Sequence, residues 1–368
     1  MKNFALEGII RLYKVFYNVL AAVIISSILS NNCLALDLSL FDPNKKAKYF
    51  ILAVDGGGIR GIVPARILQE IEHRTGKPIY QLFDFMVGVS TGGLITIALA
   101  TPDNKGNAKY TAKDLVTLYQ KQGGEIFSRS AWWKAKTGYG LWGAKYDRSN
   151  LDAILEGMLG NTLLSNTLKP IMALSYSIDN GESRLWTTHY AKASEKQDFY
   201  LKDIAGATTA APTYFEPKVL KNKLGDQVFY EADGGIFATN PAIMALSEGL
   251  SITPSLRKEE VMLLSIGTGR VKLNKPINDL KNAGIIGWVK DAGLIDVIMS
   301  ATAEVTEWQA SVLNFDTVRI QLELDKSMTG LDNASEENIA ALLEATEEYI
   351  KQNNASIDAL CKKLLERS

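Results

Sequence analysis

The chain has 368 residues, of which 46% are hydrophobic and 22% are charged, a composition typical of a folded protein with one large domain or two small ones. The formal net charge of −1 excludes the global basic field of a nucleic-acid-binding protein, so no nucleic-acid partner is expected. The sequence contains no visible internal repeat and no long low-complexity tract.

The N-terminus has the layout of a secretory signal peptide. Lys2, Arg11 and Lys14 precede an apolar run over residues 16–29, and small residues end the segment at Ala35. The apolar run is shorter than the roughly 20 residues that a membrane-spanning helix needs. We therefore predict a signal peptide over residues 1–35 and a secreted or periplasmic protein. An uncleaved anchor or a buried helix is the alternative.

The chain then alternates between predicted strands and helices. Residues 49–54 form a continuous apolar run that predicts a strand buried on both faces, and a glycine-rich loop over residues 55–61 separates it from a helical pattern. Residues 83–89 predict a second strand, which a serine-containing turn and a second helix follow. This alternation predicts an α/β domain with a largely parallel sheet, and right-handed crossovers bring both loops to the same sheet edge.

The rest of the chain adds further strands and a helical end. Strand candidates cover residues 169–176, 227–231 and 260–266. Mixed helix is predicted over residues 284–313, and apolar residues at helical spacing over residues 335–365 predict one or two amphipathic helices. No interdomain linker is visible, so the second half is expected to complete the first.

The serine-containing turn reads G-x-S-x-G over residues 88–92, the pattern of a nucleophile elbow. In such an elbow, Gly88 and Gly92 leave room for a sharp turn that exposes Ser90 at the end of a strand. A serine hydroxyl is a weak nucleophile and needs an adjacent base, usually histidine. Because the chain has only two histidines, the identity of the base becomes the central question.

The glycine loop supports two interpretations. Gly56, Gly58 and Gly61 form a G-x-G-x-x-G pattern between a strand and a helix, which is typical of a dinucleotide-binding module. That module needs an acidic residue at the end of its second strand, whereas Asp84 stands at the start of the strand here. The alternative is an oxyanion hole, in which backbone N–H groups bind a developing negative charge beside Ser90. The serine turn in the next unit favours the oxyanion hole.

The candidates for the base are the two histidines and a carboxylate. His73 lies near the C-terminal end of the first predicted helix and is expected at the surface. Asp179 before His189 keeps the serine–acid–histidine order of a histidine-dependent esterase, although only ten residues separate them. Asp233 follows a predicted strand and precedes two glycines, so its carboxylate could accept the serine proton directly. An ordinary turn aspartate is the alternative for Asp233, and spacing does not separate the two.

Several motifs together make the chain resemble the patatin-like phospholipase family. Four segments carry the resemblance: Asp55-Gly56-Gly57-Gly58-Ile59-Arg60-Gly61, Gly88-Val89-Ser90-Thr91-Gly92-Gly93, Ala210-Ala211-Pro212-Thr213-Tyr214-Phe215 and Asp233-Gly234-Gly235. Two more segments also resemble that family: Asn240-Pro241-Ala242 and Ser265-Ile266-Gly267-Thr268-Gly269. Their order along the chain makes the set far more specific than any one motif.

The resemblance implies a three-layer α/β/α fold and hydrolysis of lipid acyl esters by a serine–aspartate dyad, without metal or cofactor. By position, Ser90 would be the nucleophile and Asp233 the general base, and the N–H groups of Gly57 and Gly58 would form the oxyanion hole. Further glycines occupy motif positions: Gly56, Gly61, Gly88, Gly92, Gly234 and Gly235. The implied catalytic domain covers residues 48–275, and a mostly helical C-terminal region over residues 276–368 packs on it.

Two further features bear on the lipid substrate. Arg60 beside the glycine loop is a candidate contact for a lipid phosphate, with an ordinary surface arginine as the alternative. Residues 132–136 and 139–142 mix aromatic residues with lysines, which suits a membrane interface, and a loop packed over the core is the alternative. The expected partner is therefore a phospholipid or glycolipid at a membrane surface.

Overall fold

The structure is a computed structural model, and it describes residues 41–42, 45–270, 284, 288, 294–328 and 330–366. The signal peptide predicted over residues 1–35 lies outside the described residues and stays a prediction. Most of the helix predicted before residue 294 also lies outside them. Within the described part of the chain, no helix is both long enough and apolar enough to cross a membrane.

A mixed sheet of eight strands forms the centre of the described part. Its strands are β1 (Tyr49–Val54), β2 (Phe85–Val89), β3 (Ile171–Ser177), β4 (Glu182–Thr187), β5 (Lys218–Lys221), β6 (Val228–Asp233), β7 (Val261–Ile266) and β8 (Asp316–Ile320). The order across the sheet is β5-β6-β3-β2-β1-β7-β8, and β4 pairs with β3 outside this path. The strands from β3 to β8 in this order are parallel, whereas β4 and β6 are antiparallel to β3 and β5 to β6.

Helices cover both faces of the sheet. They are α1 (Ile62–Thr75), α2 (Ile79–Leu82), α3 (Thr91–Ala100), α4 (Ala112–Ile126), α5 (Ala131–Lys136), α6 (Ser149–Leu159), α7 (Thr188–Ala193), α8 (Leu201–Thr208), α9 (Ala242–Ile252), α10 (Leu294–Leu313), α11 (Glu336–Gln352) and α12 (Asn354–Leu365). Alternate residues of β1 enter two separate cores. Phe50, Leu52 and Val54 pack with α1, α3 and α4, whereas Ile51 and Ala53 pack with α9. The predicted three-layer α/β/α fold with a largely parallel sheet is therefore confirmed.

The strands predicted from the sequence are all present, with small differences at their ends. The second strand begins at Phe85 rather than at residue 83, because Asp84 belongs to a turn, where its carboxylate accepts a hydrogen bond from the Phe50 N–H at 2.9 Å. The sequence analysis does not predict β8, because the charged residues Asp316 and Arg319 are not typical of a buried strand. Both are buried against opposite charges, on Lys363 and Asp55 respectively.

The C-terminal region is helical, as predicted, but it also enters the sheet. α11 and α12 correspond to the amphipathic helices predicted over residues 335–365, and both pack on α1. α10 packs on α9 on the other face of the sheet. β8 lies beside β7, so residues after the predicted catalytic domain share its sheet.

Candidate active site

Ser90 lies at the tight turn between β2 and α3, where the sequence predicts a nucleophile elbow. Its backbone has φ 56° and ψ −128°, a conformation that residues other than glycine rarely adopt. The flanking glycines are needed for space. A Cβ on Gly88 would lie 2.2 Å from the Gly92 carbonyl oxygen, and one on Gly92 would lie 2.2 Å from the Val54 carbonyl oxygen. The G-x-S-x-G pattern therefore follows from the close approach of this turn to the end of β1.

Asp233 reaches Ser90 because β2 and β6 meet end to end along one edge of β3. β4 pairs with β3 along nearly all of its length and so occupies one of its two edges. β2 pairs with β3 up to Leu174 and β6 pairs with it from Ser175 onward, so both lie on the opposite edge. Val89 lies opposite Leu174, and Asp233 lies opposite Ser175. Ser90, which directly follows β2, therefore lies beside Asp233, the last residue of β6.

The Asp233 carboxyl group is buried and contacts the Ser90 hydroxyl. The Gly235 N–H donates a hydrogen bond to Asp233 Oδ1 at 2.7 Å, and the Ser90 side chain is close enough to lower the pKa of this carboxyl group. Burial raises the pKa of Asp233 to about 7, and the Ser90 side chain and the Gly235 N–H oppose that rise. A carboxylate with this pKa can exchange a proton with a serine hydroxyl near neutral pH.

Neither histidine lies near this pair. His73 is exposed in the last turn of α1, about 20 Å along that helix from the glycine loop. His189 is exposed at the start of α7, directly after β4. Thr187 of β4 pairs with Met172 near the start of β3. His189 therefore lies near the N-terminal ends of the parallel strands, whereas Ser90 lies at their C-terminal ends. The fold therefore separates His189 from the serine that it would have to activate in a histidine-dependent esterase.

The glycine loop after β1 presents two adjacent N–H groups for which the described residues offer no acceptor, those of Gly57 and Gly58. The N–H groups on either side of them are engaged: Asp55 donates to Ile266, Gly56 to Thr239, Ile59 to Leu331 and Arg60 to Gly57. The loop lies against the elbow, since a Cβ on Gly56 would lie 3.1 Å from Ser90 Cβ. This arrangement suits an oxyanion hole, which needs donors held in advance beside the nucleophile.

We expect Gly58→Ala to lower kcat about 100-fold or more, the scale of losing one oxyanion-hole donor. Gly58 has φ +60°, and its Cβ would lie 2.1 Å from the Leu331 carbonyl oxygen, so the loop would have to move. The measurement is kcat and KM for a soluble short-chain ester, beside the melting temperature. Gly157→Ala in α6 is the matched control, because no atom lies within 4 Å of its Cβ. A folded Gly58→Ala protein with unchanged kcat would contradict an oxyanion role for this loop.

An apolar cavity with a volume of about 210 Å³ opens beside Ser90 and Asp233. Its apolar lining comes from several helices: Leu94 of α3, Tyr119 and Ile126 of α4, Leu151 of α6, and Ile295, Ile298 and Met299 of α10. Among the described residues that line it, Asp233 is the only one with a charge. The cavity therefore suits a long apolar group that is attached to a reacting centre next to Ser90.

Clusters of histidine, cysteine, aspartate or glutamate able to hold a metal are absent from the described residues.

The remaining motif residues support the loops rather than the cavity. Arg60 Nε donates to the Gly57 carbonyl oxygen at 3.4 Å, and Arg60 is not among the described residues that line the cavity. Its contact with a lipid phosphate stays a prediction. Gly61 allows α1 to approach the elbow, because a Cβ there would lie 2.1 Å from Thr91 Oγ1. Gly234 allows β6 to end against β3, since its Cβ would lie 2.7 Å from a β3 carbonyl oxygen.

Three contributions to the site have no signal in the sequence pattern. Thr208 accepts a hydrogen bond from the Ser90 N–H at 2.9 Å and donates to the Leu174 carbonyl at 2.6 Å, which ties the elbow to β3. Leu331 packs its carbonyl oxygen against Gly58 and lines the cavity. α10 supplies a further wall. Each of these contacts joins residues far apart in the chain, and a local pattern cannot record such a contact.

The sequence is similar to those of known proteins. A family model described as patatin-like phospholipase matches residues 52–246, which include the glycine loop, Ser90 and Asp233. Patatin-like protein 4 of Arabidopsis thaliana is 29% identical over 302 residues, covering 74% of this chain and 75% of that protein. Patatin-T5 of Solanum tuberosum is 29% identical over 331 residues, covering 82% of this chain and 84% of that protein.

Two other matches complete the comparison. The Solanum tuberosum protein named probable inactive patatin-3-Kuras 1 is 28% identical over 332 residues, covering 82% of this chain and 86% of that protein. The crystal structure of VipD from Legionella pneumophila aligns with a TM-score of 0.34 at 14% identity, covering 82% of this chain and 67% of that one. The family model spans more than half of the sequence. The chain therefore belongs to the patatin-like phospholipase family.

Proposed function

We propose that the protein is a serine hydrolase of phospholipase A type that releases fatty acids from membrane phospholipids or related acyl lipids. Membership of the patatin-like phospholipase family supports hydrolysis of lipid esters. Family membership does not carry the proposal alone, since one relative is named as probably inactive. The observation that carries it is the juxtaposition of the Ser90 side chain and the buried Asp233 carboxyl group at the wall of an apolar cavity.

In the first step, Ser90 Oγ attacks the ester carbonyl carbon while its proton moves to the Asp233 carboxylate. The carbonyl oxygen becomes an oxyanion, and the N–H groups of Gly57 and Gly58 stabilise it by roughly 3 kcal/mol per donor. The intermediate then collapses, the bond to the leaving alcohol breaks, and Asp233 returns the proton to that alcohol. A lysophospholipid or another alcohol leaves, and the acyl group stays on Ser90.

In the second step, water attacks the acyl-enzyme and Asp233 takes one of its protons. The same two glycine N–H groups stabilise the second oxyanion. Collapse of this intermediate breaks the bond to Ser90, which takes the proton back from Asp233, and a free fatty acid leaves. The raised pKa of Asp233, about 7, supports both directions of transfer because the group is neither a strong acid nor permanently protonated at neutral pH.

The lining of the cavity supports an acyl lipid as the substrate. Leu94, Ile126 and Leu151 offer apolar surface in the cavity that Ser90 also lines, which suits a fatty acyl chain. Among the described lining residues no cation is present to select a phosphate, so the head group is expected outside the cavity.

The test is mass spectrometry of the products from vesicles of mixed phospholipids, with Ser90→Ala beside the wild type. We expect free fatty acids and lysophospholipids from the wild type only. Release of a phosphorylated head group would overturn the proposal, because it requires cleavage of a phosphate ester instead of a carboxylic ester. Failure to release fatty acid from phospholipids, glycolipids and short-chain esters alike would also overturn it.

We also propose that an aromatic rim segment, residues 131–142, contacts the lipid surface. The side chains of Trp132, Leu141 and Trp142 are 66%, 81% and 85% exposed, which is unusual for residues of this size. Lys136 Nζ lies 5.0 Å from the ring centre of Trp132, so a positive charge accompanies the apolar surface. Tryptophan and lysine together suit the boundary between acyl chains and anionic head groups.

The position of the rim segment supports this contact. Tyr146 lies four residues after the end of the segment and packs edge to face on Phe127, with the ring centres 5.5 Å apart. Its ring also lies 5.8 Å from that of Phe215. Phe127 and Phe215 both line the cavity, so the chain that carries the exposed tryptophans continues to a residue packed on the cavity lining.

We expect the triple change Trp132→Ser, Leu141→Ser and Trp142→Ser to weaken binding to anionic vesicles about 10-fold or more, because apolar burial drives interfacial binding. The rate on a soluble short-chain ester should stay within about twofold, since none of the three residues lines the cavity. The assay is vesicle sedimentation beside ester hydrolysis. The control is Tyr190→Ser. Tyr190 is an exposed aromatic residue in α7, near the N-terminal ends of the parallel strands. Unchanged sedimentation of the triple variant would refute the contact.

A further inference from the structure

The chain beyond the matched family segment holds the glycine loop at both ends. Asp55 is the last residue before the glycines, and Arg319 of β8 binds it through two hydrogen bonds. These join Nη1 to Oδ1 at 3.0 Å and Nη2 to Oδ2 at 2.6 Å. At the other end, the Ile59 N–H donates to the Leu331 carbonyl oxygen at 2.8 Å. Arg319 and Leu331 both lie outside residues 52–246.

The sheet register brings Arg319 to Asp55. Ala53, Ser265 and Arg319 are lateral neighbours on β1, β7 and β8. Because side chains alternate along a strand, Asp55 lies on the same face of the sheet as Ala53. Arg319 Nη1 also donates to Ser265 Oγ at 2.8 Å, which keeps the guanidinium over the end of β1. The pairing is therefore a property of three adjacent strands rather than of a mobile surface side chain.

Both members of the pair are buried. Arg319 is 9% exposed and Asp55 is 2% exposed. Burial raises the pKa of Asp55 to about 6, and the charge and hydrogen bonds of Arg319 oppose that rise, so the carboxylate is ionised at neutral pH. Two parallel bonds from a planar guanidinium restrict a carboxylate more than the single point charge of lysine can.

Leu331 determines which N–H groups of the loop stay available. Its carbonyl oxygen engages Ile59, so the donors left without an acceptor among the described residues are those of Gly57 and Gly58. Asp332, the next residue, binds Lys145 and Tyr146 and so anchors this turn to the wall of the site.

Arg319 also binds a residue of α10. Glu307 Oε1 accepts a hydrogen bond from Arg319 Nε at 3.0 Å and lies 2.9 Å from Arg319 Nη2. The first turns of α10 line the cavity through Ile295, Ile298 and Met299. Arg319 thus connects the cavity wall to the residue that begins the glycine loop.

From these contacts we propose that Arg319 is a positioning residue for the oxyanion hole. It binds neither substrate nor the reacting atoms. It holds Asp55, and through Asp55 the start of the glycine loop, so that the N–H groups of Gly57 and Gly58 stay in place beside Ser90. The inference rests on the proposed hydrolase function, because an oxyanion arises only in that reaction.

The test uses Arg319→Lys, which keeps the charge but cannot form both parallel bonds. We expect kcat for a soluble short-chain ester to fall at least about 10-fold, with KM within about twofold, because a displaced oxyanion hole weakens binding of the transition state only. Labelling of Ser90 by a fluorophosphonate should slow by a similar factor, since the phosphonyl adduct places an oxygen in the same hole.

A matched control separates positioning from stability. Lys363 is also buried and pairs with Asp316 on the same strand β8 at 2.5 Å, but at the end far from the glycine loop. Lys363→Met should therefore lower the melting temperature without changing kcat or labelling per folded molecule. If Arg319→Lys does not fold, Asp55→Asn replaces it with the same expected fall in kcat, because asparagine keeps the shape of the side chain but offers Arg319 one acceptor oxygen in place of two.

The outcomes are distinct. An Arg319→Lys protein that loses stability but keeps wild-type kcat and labelling per folded molecule would overturn the proposal, as would a change in KM alone. If the wild type neither cleaves esters nor reacts with the fluorophosphonate, the proposed function itself fails, and the role of Arg319 fails with it.

Discussion

Ser90→Ala is expected to lower fatty-acid release by roughly 10⁴-fold or more, the scale seen when a hydrolase loses its nucleophile. The elbow places the Ser90 side chain beside both Asp233 and the glycine loop. Alanine keeps the Cβ of serine and the same backbone strain at φ 56°, so the fold should survive. The measurement is fatty acid released from phospholipid vesicles, with circular dichroism to check folding.

Ser128→Ala is the matched control for this change. Ser128 is exposed just after α4, and its hydroxyl donates to the Glu125 carbonyl at 2.8 Å and accepts from the exposed Asn150 side chain at 3.0 Å. Its removal should leave the rate within about twofold, as expected of a surface change. A Ser90→Ala protein that keeps more than about a tenth of the wild-type rate would refute a covalent role for Ser90.

Asp233→Asn is expected to lower kcat by about 10⁴-fold, because asparagine keeps the size of the side chain but cannot accept the serine proton. In the wild type, kcat/KM should rise with pH and level off above an apparent pKa of about 7, since the base works only when ionised. The measurement is the pH profile on a soluble ester from pH 5 to about pH 9. A profile without an inflection in this range, or an active Asp233→Asn protein, would contradict the assignment.

The same titration should appear in the free energy of unfolding. Burial raises the pKa of Asp233 from 3.8 to about 7, so between these values the folded protein binds a proton that the unfolded chain has released. Stability from this group is therefore complete below about pH 4 and is lost as the pH rises through 7, by about 4 kcal/mol at most. Asp55, with its pKa raised to about 6, acts in the same direction.

Asp233→Asn removes this penalty on ionisation. Relative to the wild type, the variant should gain stability as the pH rises from 4 to 8, and urea unfolding at both pH values measures the difference. Parallel stability curves for the two proteins would show that the carboxyl group is not buried in the folded state as described.

The sequence predicts the nucleophile and its loop because both depend on short-range constraints. Gly88 and Gly92 are needed where the chain reverses within a few residues, and such a pattern is visible in a single window. The base is different. Spacing leaves Asp233 open between a base and a turn residue, because its position depends on which edge of β3 each neighbouring strand occupies. Only the pairing of β4 with the other edge brings Asp233 to Ser90.

The sequence by itself determined the α/β class, the elbow at Ser90, the glycine loop and the amphipathic C-terminal helices, because burial period and backbone sterics act between near neighbours. The tertiary structure alone decided that Asp233 rather than a histidine meets Ser90, and that β8 joins the sheet. Arg319 shows the physical reason. A charged residue in a strand is compatible with burial only when its partner is present, and that partner, Asp55, lies 264 positions away.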